Sequence, residues 1–196
     1  SGFKSVAQLN ALRYLDFNVN RFLMRAKESG YYDNTIFVFF GDHNTAMKKT
    51  NLYPKEYDLN IQLQHVPFII HAPNFISAKQ VHKTGKLIDL FPTIAGLAKV
   101  NHTNYTLGSD LLNENNKDNT GFVYLQYKGE STVGIIKDSL YYYKTKISKS
   151  YEMFNLKQDG LEDISKKFPN KRNELDSLLE AYYHSTKYLY FNNKKR

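Results

Sequence analysis

The feature that most constrains the fold is an apolar run, Thr35–Phe40, that ends abruptly in the polar segment Gly41–Asn44. The run is apolar on both faces and rich in β-branched and aromatic side chains, which is typical of a buried parallel strand. Before it, apolar residues recur at helical spacing and predict a helix over Val6–Ser29. A helix that leads into a buried strand is the pattern of an α/β fold.

The rest of the chain predicts a second apolar strand, a short helix, an antiparallel meander and a closing helix. The second strand covers residues 66–70 and the short helix covers 89–98. The meander consists of strands at 122–127, 132–137 and 140–145, with a further short strand at 151–156. The closing helix covers 173–190. We find no internal repeat and no long linker, so we expect one partial domain over residues 1–196. Within it, residues 1–120 form the α/β part, and residues 121–196 form the antiparallel strands and the closing helix.

Composition narrows the function classes. The formal net charge of +8 favours anionic partners, but the basic residues are scattered and no nucleic-acid-binding motif accompanies them, which argues against nucleic acid. The absence of cysteine excludes disulfides, thiol catalysis and thiolate metal sites. No apolar run reaches the roughly 20 residues that a membrane-spanning helix needs.

The candidate chemistry lies in Gly41-Asp42-His43. Loops at the carboxyl ends of strands in an open α/β sheet are where ligands bind. A divalent cation accepts carboxylate oxygen and imidazole nitrogen together, and Gly41 allows the backbone to turn both side chains toward one ion. The alternative, which the dipeptide alone leaves open, is an ordinary polar turn at the end of a strand.

Several sequence blocks resemble one family. Tyr32–His43 is similar to the "YDNT, strand, GDH" signature of the alkaline phosphatase/sulfatase superfamily, and especially of the lipoteichoic acid synthases and related phosphoglycerol transferases. His65–Pro73 resembles the "VPLIIHxP" strand of these proteins, and Ile88–Leu97 resembles their "DLxPTLxxLxG" helix. A weaker similarity covers Tyr151–Gly160. Three blocks in the family's order identify the chain as a sulfatase-like sequence.

The resemblance implies a fold and a metal site. The fold is the carboxyl-terminal part of a three-layer αβα sandwich, followed by a small antiparallel sheet and a terminal helix. Asp42 and His43 match the family's paired ligands for a divalent metal, with Mn²⁺ or Mg²⁺ preferred and Zn²⁺ or Ca²⁺ as alternatives. Asn44 departs from the Gly or Tyr that commonly follows Asp-His.

The resemblance also implies a reaction, in which a Thr, Ser or formylglycine nucleophile attacks phosphorus or sulfur. That nucleophile normally lies upstream of the first helix, and nothing in residues 1–10 matches it. We therefore expect the isolated chain to be inactive and to bind metal weakly. Thr45 and Thr50 are rejected as local nucleophiles, because the family's nucleophile opens a different helix.

The expected activity is phosphoglycerol-type transfer or ester hydrolysis at the extracytoplasmic membrane face, on a lipid- or glycan-linked phosphate or sulfate ester. Any membrane anchor would lie upstream. The alternatives are a true sulfatase acting on sulfated glycans and a non-catalytic module that binds anionic glycans. His65 and Lys48 are candidate substrate-binding residues, against the simpler interpretations of a structural histidine and a solvated loop lysine.

Overall fold

The computed structural model describes residues 3–45, 48–50 and 54–193. The chain divides into two compact units, of which the first comprises Ser1–Asp58 and Gln62–Gln80, and the second comprises Leu59–Ile61 and Val81–Arg196. The prediction of one partial domain over residues 1–196, with an α/β part at 1–120 and antiparallel strands with a closing helix at 121–196, stays a prediction.

Helix α1 spans Val6–Glu28 and confirms the predicted helix. At its start, the Ser5 hydroxyl accepts a hydrogen bond from the Gln8 backbone N–H at 3.1 Å. The Gln8 side-chain oxygen accepts the Lys4 backbone N–H at 2.8 Å. Ser5 and Gln8 therefore form a capping pair, in which the return bond reaches Lys4, and the pair satisfies donors that a helix start leaves without partners.

The end of α1 is set by Gly30. Its φ of +78° is a left-handed conformation that glycine adopts without steric cost. The Gly30 N–H donates to the Lys27 carbonyl at 3.0 Å, and the Tyr31 N–H donates to the Ala26 carbonyl at 3.2 Å. This pair of bonds is the Schellman motif, which stops the helix and satisfies its last carbonyls.

The predicted strands 35–40 and 66–70 form strands β1, Phe37–Phe40, and β2, Phe68–His71, with the short helix α2, Pro54–Asp58, between them along the chain. The two strands pair antiparallel, so the expectation of a parallel strand is wrong. Apolar residues on both faces fit a strand of either direction, and direction depends on the partner strand. The chain after β1 turns back and brings β2 alongside it in the opposite sense.

The second unit contains the predicted short helix and the predicted meander. Helix α3 spans Leu90–Leu97. Strands β3 to β6 form one antiparallel sheet in the order β3-β4-β5-β6. Their bounds are Thr120–Tyr127, Glu130–Lys137, Leu140–Thr145 and Tyr151–Asn155. The hairpin between β3 and β4 turns through Lys128 and Gly129, which both have positive φ, as a tight two-residue turn requires.

Helix α4 spans Pro169–Asn192 and extends the predicted closing helix at both ends. The earlier start follows from Pro169, because proline is favoured at the first helical position, where its missing N–H costs nothing.

The four-stranded sheet buries apolar side chains on both faces, because successive residues of a strand point to opposite sides. One face carries Val123, Leu125, Tyr141, Tyr143 and Phe154, packed with Leu59 and Ile61. The other face carries Ile135, Tyr142 and Met153, packed with Ile164 and with Leu175 and Leu179 of α4. The alternation within Tyr141–Tyr143 explains how consecutive tyrosines are all buried in β5.

We predict that Leu179→Ala lowers the free energy of unfolding by about 2–5 kcal/mol, because Leu179 is 1% exposed and its truncation leaves a cavity between α4 and the sheet. Urea denaturation measures the effect. The control Thr186→Ala, at an exposed position of the same helix, is expected to change stability by less than about 0.5 kcal/mol. Equal effects of the two variants would contradict the packing of α4 described above.

Candidate metal site

Asp42 and His43 lie immediately beyond β1, where the strand pairing ends with a hydrogen bond from the Gly41 N–H to the Pro67 carbonyl at 3.2 Å. Both side chains are open to solvent, at 86% and 76% exposure. The Asp42 Oδ1 and His43 Nε2 atoms are 4.0 Å apart. This separation is about twice a metal–ligand bond of ~2.1 Å, so one cation can contact both atoms.

The hydrogen bonds of His43 favour its role as a ligand. Its Nδ1 lies 3.1 Å from the Asn44 carbonyl oxygen. A carbonyl can only accept, so Nδ1 carries the hydrogen and the neutral ring keeps its lone pair at Nε2. A metal-bound histidine is commonly oriented by such a bond from its second ring nitrogen. The His43 backbone N–H also donates to Asp42 Oδ1 at 2.9 Å.

Asn44 ties this loop to the segment before β2. Its backbone N–H donates to the Leu63 carbonyl at 2.9 Å. Its side-chain Nδ2 donates to the carbonyls of Gln62 at 3.3 Å and of His65 at 3.0 Å, and its Oδ1 accepts the Thr45 N–H at 2.8 Å. The residue that departs from the family pattern is therefore the one that fixes the loop's position.

The substrate-binding candidates differ in their surroundings. The His65 Nδ1 lies 2.8 Å from Glu56 Oε2. The hydrogen bond to Glu56 raises the pKa of His65 above its ordinary 6.5, partial burial opposes the shift, and the negative charge of Glu56 adds to it. Lys48 is exposed, whereas its neighbour Lys49 forms an ion pair with Asp58 at 2.5 Å.

His71 has a structural environment. Its Nε2 lies 2.5 Å from the Tyr32 hydroxyl, and its ring packs against Phe37. Sequence reasoning did not identify Glu56 as the partner of His65, because nothing in the sequence links a residue of α2 to one nine positions later.

The donor set is incomplete for a typical metal site. Within residues 3–45, 48–50 and 54–193, no group of three or more His, Cys, Asp or Glu side chains could hold an ion. The chemistry of the pair, carboxylate oxygen with imidazole nitrogen, fits a divalent cation, but two ligands are fewer than the three or four of an ordinary site. The assignment of Asp42 and His43 as metal ligands stays a prediction.

No helix in the described part of the chain combines the length and apolarity that crossing a bilayer requires.

Comparison with known proteins identifies the family to which part of the chain belongs. Residues 6–100 match the sulfatase family model. The fold is similar to that of the solved protein Ps i-CgsB, with a TM-score of 0.69 at 20% sequence identity over 87% of this chain and 41% of that one. The same neighbour has been solved in complex with k-i-k-neocarrahexaose. Residues 6–100 thus belong to the sulfatase family, and the predicted fold class is confirmed.

Within the family, the chain is similar to lipoteichoic acid synthase 2 of Bacillus subtilis, with 34% identity over 154 residues, covering 71% of this chain and 22% of the relative. It is 29% identical to an arylsulfatase of Clostridium perfringens over 150 residues, covering 73% of this chain and 30% of that enzyme. The chain therefore spans less than a third of the length of either relative.

We predict that Asn44→Ala loosens the loop that carries Asp42 and His43. Loss of the side-chain hydrogen bonds is expected to lower stability by about 1–2 kcal/mol and to reduce the population of the His43 tautomer protonated at Nδ1. Ring ¹⁵N chemical shifts of His43 measure the tautomer. The matched control is Asn74→Ala, which removes a 3.1 Å amide bond to the Asp33 carbonyl in the same unit and should leave those shifts unchanged. Unchanged His43 shifts in Asn44→Ala would count against the role of Asn44.

We predict that Glu56→Gln lowers the pKa of His65 toward 6.5, because the carboxylate that favours the charged ring is removed. A pKa raised in the folded state adds stability that is fully present below 6.5 and is lost as pH rises through the folded value. The stability difference between wild type and variant should therefore be largest below pH 6.5 and narrow above the folded pKa. An NMR titration of His65 that gives the same midpoint in both proteins would contradict this.

Proposed function

We propose that the chain is part of a metal-dependent phosphoglycerol or phosphoryl transferase, or ester hydrolase, of the sulfatase family, with its cation held by Asp42 and His43. The observation that carries the proposal is the convergence of Asp42 Oδ1 and His43 Nε2 at 4.0 Å on a solvent-open loop. An ordinary polar turn has no need to fix a histidine tautomer that leaves Nε2 free beside a carboxylate.

The residues present divide the work at this site. Asp42 contributes a carboxylate oxygen, His43 contributes a ring nitrogen, and Asn44 anchors the loop that carries them. When bound, the cation lowers the pKa of a hydroxyl nucleophile and stabilises charge on the group being transferred. Mn²⁺ or Mg²⁺ fits the carboxylate best, with Zn²⁺ and Ca²⁺ as alternatives. We assign the nucleophile to no residue of this chain, and we expect the isolated chain to be inactive.

The proposed substrate is an anionic lipid- or glycan-linked phosphate ester at the extracytoplasmic face of a membrane. The similarity to lipoteichoic acid synthases supports this choice, as does the net charge of +8, which attracts anionic molecules. Lys48 remains the candidate for contact with substrate, since its neighbour Lys49 is paired with Asp58. His65 would be cationic below its raised pKa and could meet a negative group there.

A second candidate function is hydrolysis of sulfate esters on glycans. The similarity to an arylsulfatase supports it. The third candidate, a non-catalytic module that binds anionic glycans, keeps the fold and needs no cation.

We predict that the chain binds Mn²⁺ weakly and that Asp42→Ala abolishes detectable binding, because the carboxylate is the charged member of the pair. Electron paramagnetic resonance of free Mn²⁺ measures the bound fraction. Asp33→Ala, which removes an exposed carboxylate elsewhere in the first unit, is the control and should bind as wild type does. Equal Mn²⁺ binding by wild type and Asp42→Ala would overturn the metal site.

The reaction itself is tested in the full-length protein, with a phosphoglycerol lipid and a sulfated glycan as competing substrates. Loss of turnover in Asp42→Ala supports an enzyme, and the preferred substrate separates transferase from sulfatase. Glycan binding that is unaffected by Asp42→Ala, without turnover of either substrate, would support the non-catalytic module instead.

A further inference from the structure

The first unit, unlike the second, has almost no hydrophobic core of its own. Both clusters of buried apolar side chains described above belong to the second unit. Among the described residues of the first unit, the buried apolar side chains are those of Ala26, Phe37 and Ala72. Burial of apolar surface is the main force that stabilises a folded chain. The first unit therefore gains little stability from its own interior.

Helix α1 carries one continuous apolar stripe, of which only one end is covered. Its residues are spaced three or four apart and so lie on one side of the helix. They are Leu12, Leu15, Val19, Phe22 and Ala26, here called the α1 stripe. At one end of the stripe Ala26 is fully buried, and the Phe22 ring meets the Phe37 ring of β1 edge-on at 5.7 Å. At the other end Leu12 and Leu15 are 42% and 59% exposed. The side of α1 that packs on β1 thus continues without cover beyond that contact.

The two-stranded sheet is incompletely covered on both of its faces. The sequence of β1 is apolar on both faces, which is typical of a strand that is buried on both. In the structure, Phe40 is 51% exposed on one face. On the other face Ile69, which lies opposite Phe39, is 56% exposed. The sequence of this strand therefore fits more cover than the described residues give it.

The outer edge of β1 is also free. The Gly41 N–H bonds to the Pro67 carbonyl, and bonded pairs alternate with non-bonded pairs along an antiparallel ladder. Every second residue of β1 therefore bonds to β2, and the N–H and C=O groups of Val38 and Phe40 point away from it. No described residue bonds to those groups. An edge with unpaired main-chain groups is where a further strand can add to a sheet.

We propose that the α1 stripe and the free edge of β1 form one surface, which the remainder of the sulfatase domain covers by pairing an extended segment with β1. The family membership of residues 6–100 supports this occupant. The matched part makes up 22% of lipoteichoic acid synthase 2 and 41% of Ps i-CgsB, so both relatives have most of their length outside it. The inference shares with the proposed function the premise that the chain is part of a longer protein, and it is independent of the metal site.

An extended protein segment satisfies both parts of this surface. Its N–H and C=O groups pair with those of Val38 and Phe40, and its side chains supply the apolar contacts that Leu12 and Leu15 lack. The acyl chains of a bilayer contact apolar side chains, but they have no groups that bond to the edge of β1. A second copy of the chain also offers such groups, and the oligomeric state distinguishes it from the remainder of the domain.

Hydrogen exchange measures this cover directly in wild-type protein. The isolated chain and the full-length protein are compared at the amides of Val38 and Phe40. Both amides should exchange at least about 100-fold more slowly in the full-length protein, because pairing protects them. The internal control is the amide of Gly129 in the exposed turn between β3 and β4. Its exchange rates in the two proteins should agree within about threefold.

The matched pair of variants is Leu15→Ser and Phe17→Ser. The two side chains are 59% and 58% exposed, but Phe17 lies on the opposite side of α1 from the stripe, because successive residues turn about 100° around a helix. In the isolated chain, each substitution should shift the urea midpoint of unfolding by less than about 0.2 M. In the full-length protein, Leu15→Ser should lower the midpoint by at least about 0.5 M, because it removes a side chain that is buried there, and Phe17→Ser should not.

Three results would overturn the proposal. In the first, Val38 and Phe40 exchange as fast in the full-length protein as in the isolated chain. In the second, Leu15→Ser and Phe17→Ser act equally on the full-length protein. In the third, sedimentation shows that the isolated chain dimerises and that Leu15→Ser abolishes the dimer without affecting the full-length protein, which would assign the surface to a second copy. These measurements need neither a cation nor turnover, so failure of this inference and failure of the proposed function are distinguishable.

Discussion

The geometry of the candidate site depends on the hydrogen bonds that the side-chain amide of Asn44 donates. The sheet that leads to the site has only the two strands β1 and β2, and a two-stranded pair is marginally stable by itself. Asp42 and His43 gain nothing from burial, since both are exposed. Their orientation therefore comes from local hydrogen bonds. The bonds from Asn44 to the carbonyls of Gln62 and His65 close the loop at its base.

In the second unit, a buried ion pair fixes the local arrangement, as the hydrogen bonds of Asn44 do for the loop of the candidate site. The Lys86 side chain is 7% exposed and lies 2.6 Å from Asp118 Oδ2 and 3.7 Å from Asp89 Oδ2. Burial by itself lowers the pKa of Lys86, but the hydrogen bond to Asp118 and the charge of Asp89 outweigh it, so the pKa lies above its ordinary value. Tyr182 and Thr120 complete the network. A buried charge satisfied in this way specifies one arrangement of the elements that meet there.

That network also determines where α4 stops being part of the packed unit. Tyr182 is the last residue of α4 that bonds into it, through Asp118 and Thr120. Beyond that residue the helix continues for nearly three turns of about 3.6 residues each, and none of the residues there is fully buried. The length of a helix and the length over which it packs are set by different interactions.

Local signals predicted most of the fold. The helical spacing of apolar residues over Val6–Ser29 predicted α1, and the series of short strands predicted the meander. The direction in which the strands pair, and the identity of each partner strand, were not predictable in the same way. The apolar faces of Thr35–Phe40 do not encode an antiparallel partner, since pairing direction is decided by the intervening chain.

The candidate site was likewise predictable from the sequence only in part. The adjacency of Asp42 and His43 can be read from the sequence, and so can their place after a strand. The pairing of His65 with Glu56, and the bonds that Asn44 makes across the loop, depend on how residues 44–65 fold back on themselves. Such contacts carry no periodic signature. The sequence marked Asn44 only as a departure from a pattern, and the structure gives that departure a physical role.

The proposed metal pair constrains the reaction more than it constrains the substrate. A carboxylate and an imidazole that hold one cation serve transfer of a phosphoryl group and hydrolysis of a sulfate ester equally, because both reactions place negative charge on oxygens near the metal. Discrimination must therefore come from groups that contact the rest of the substrate. Lys48 and His65 lie in the segment that Asn44 closes, whereas Asp42 and His43 precede it. Changes in that segment can alter substrate choice and leave the geometry of the pair intact.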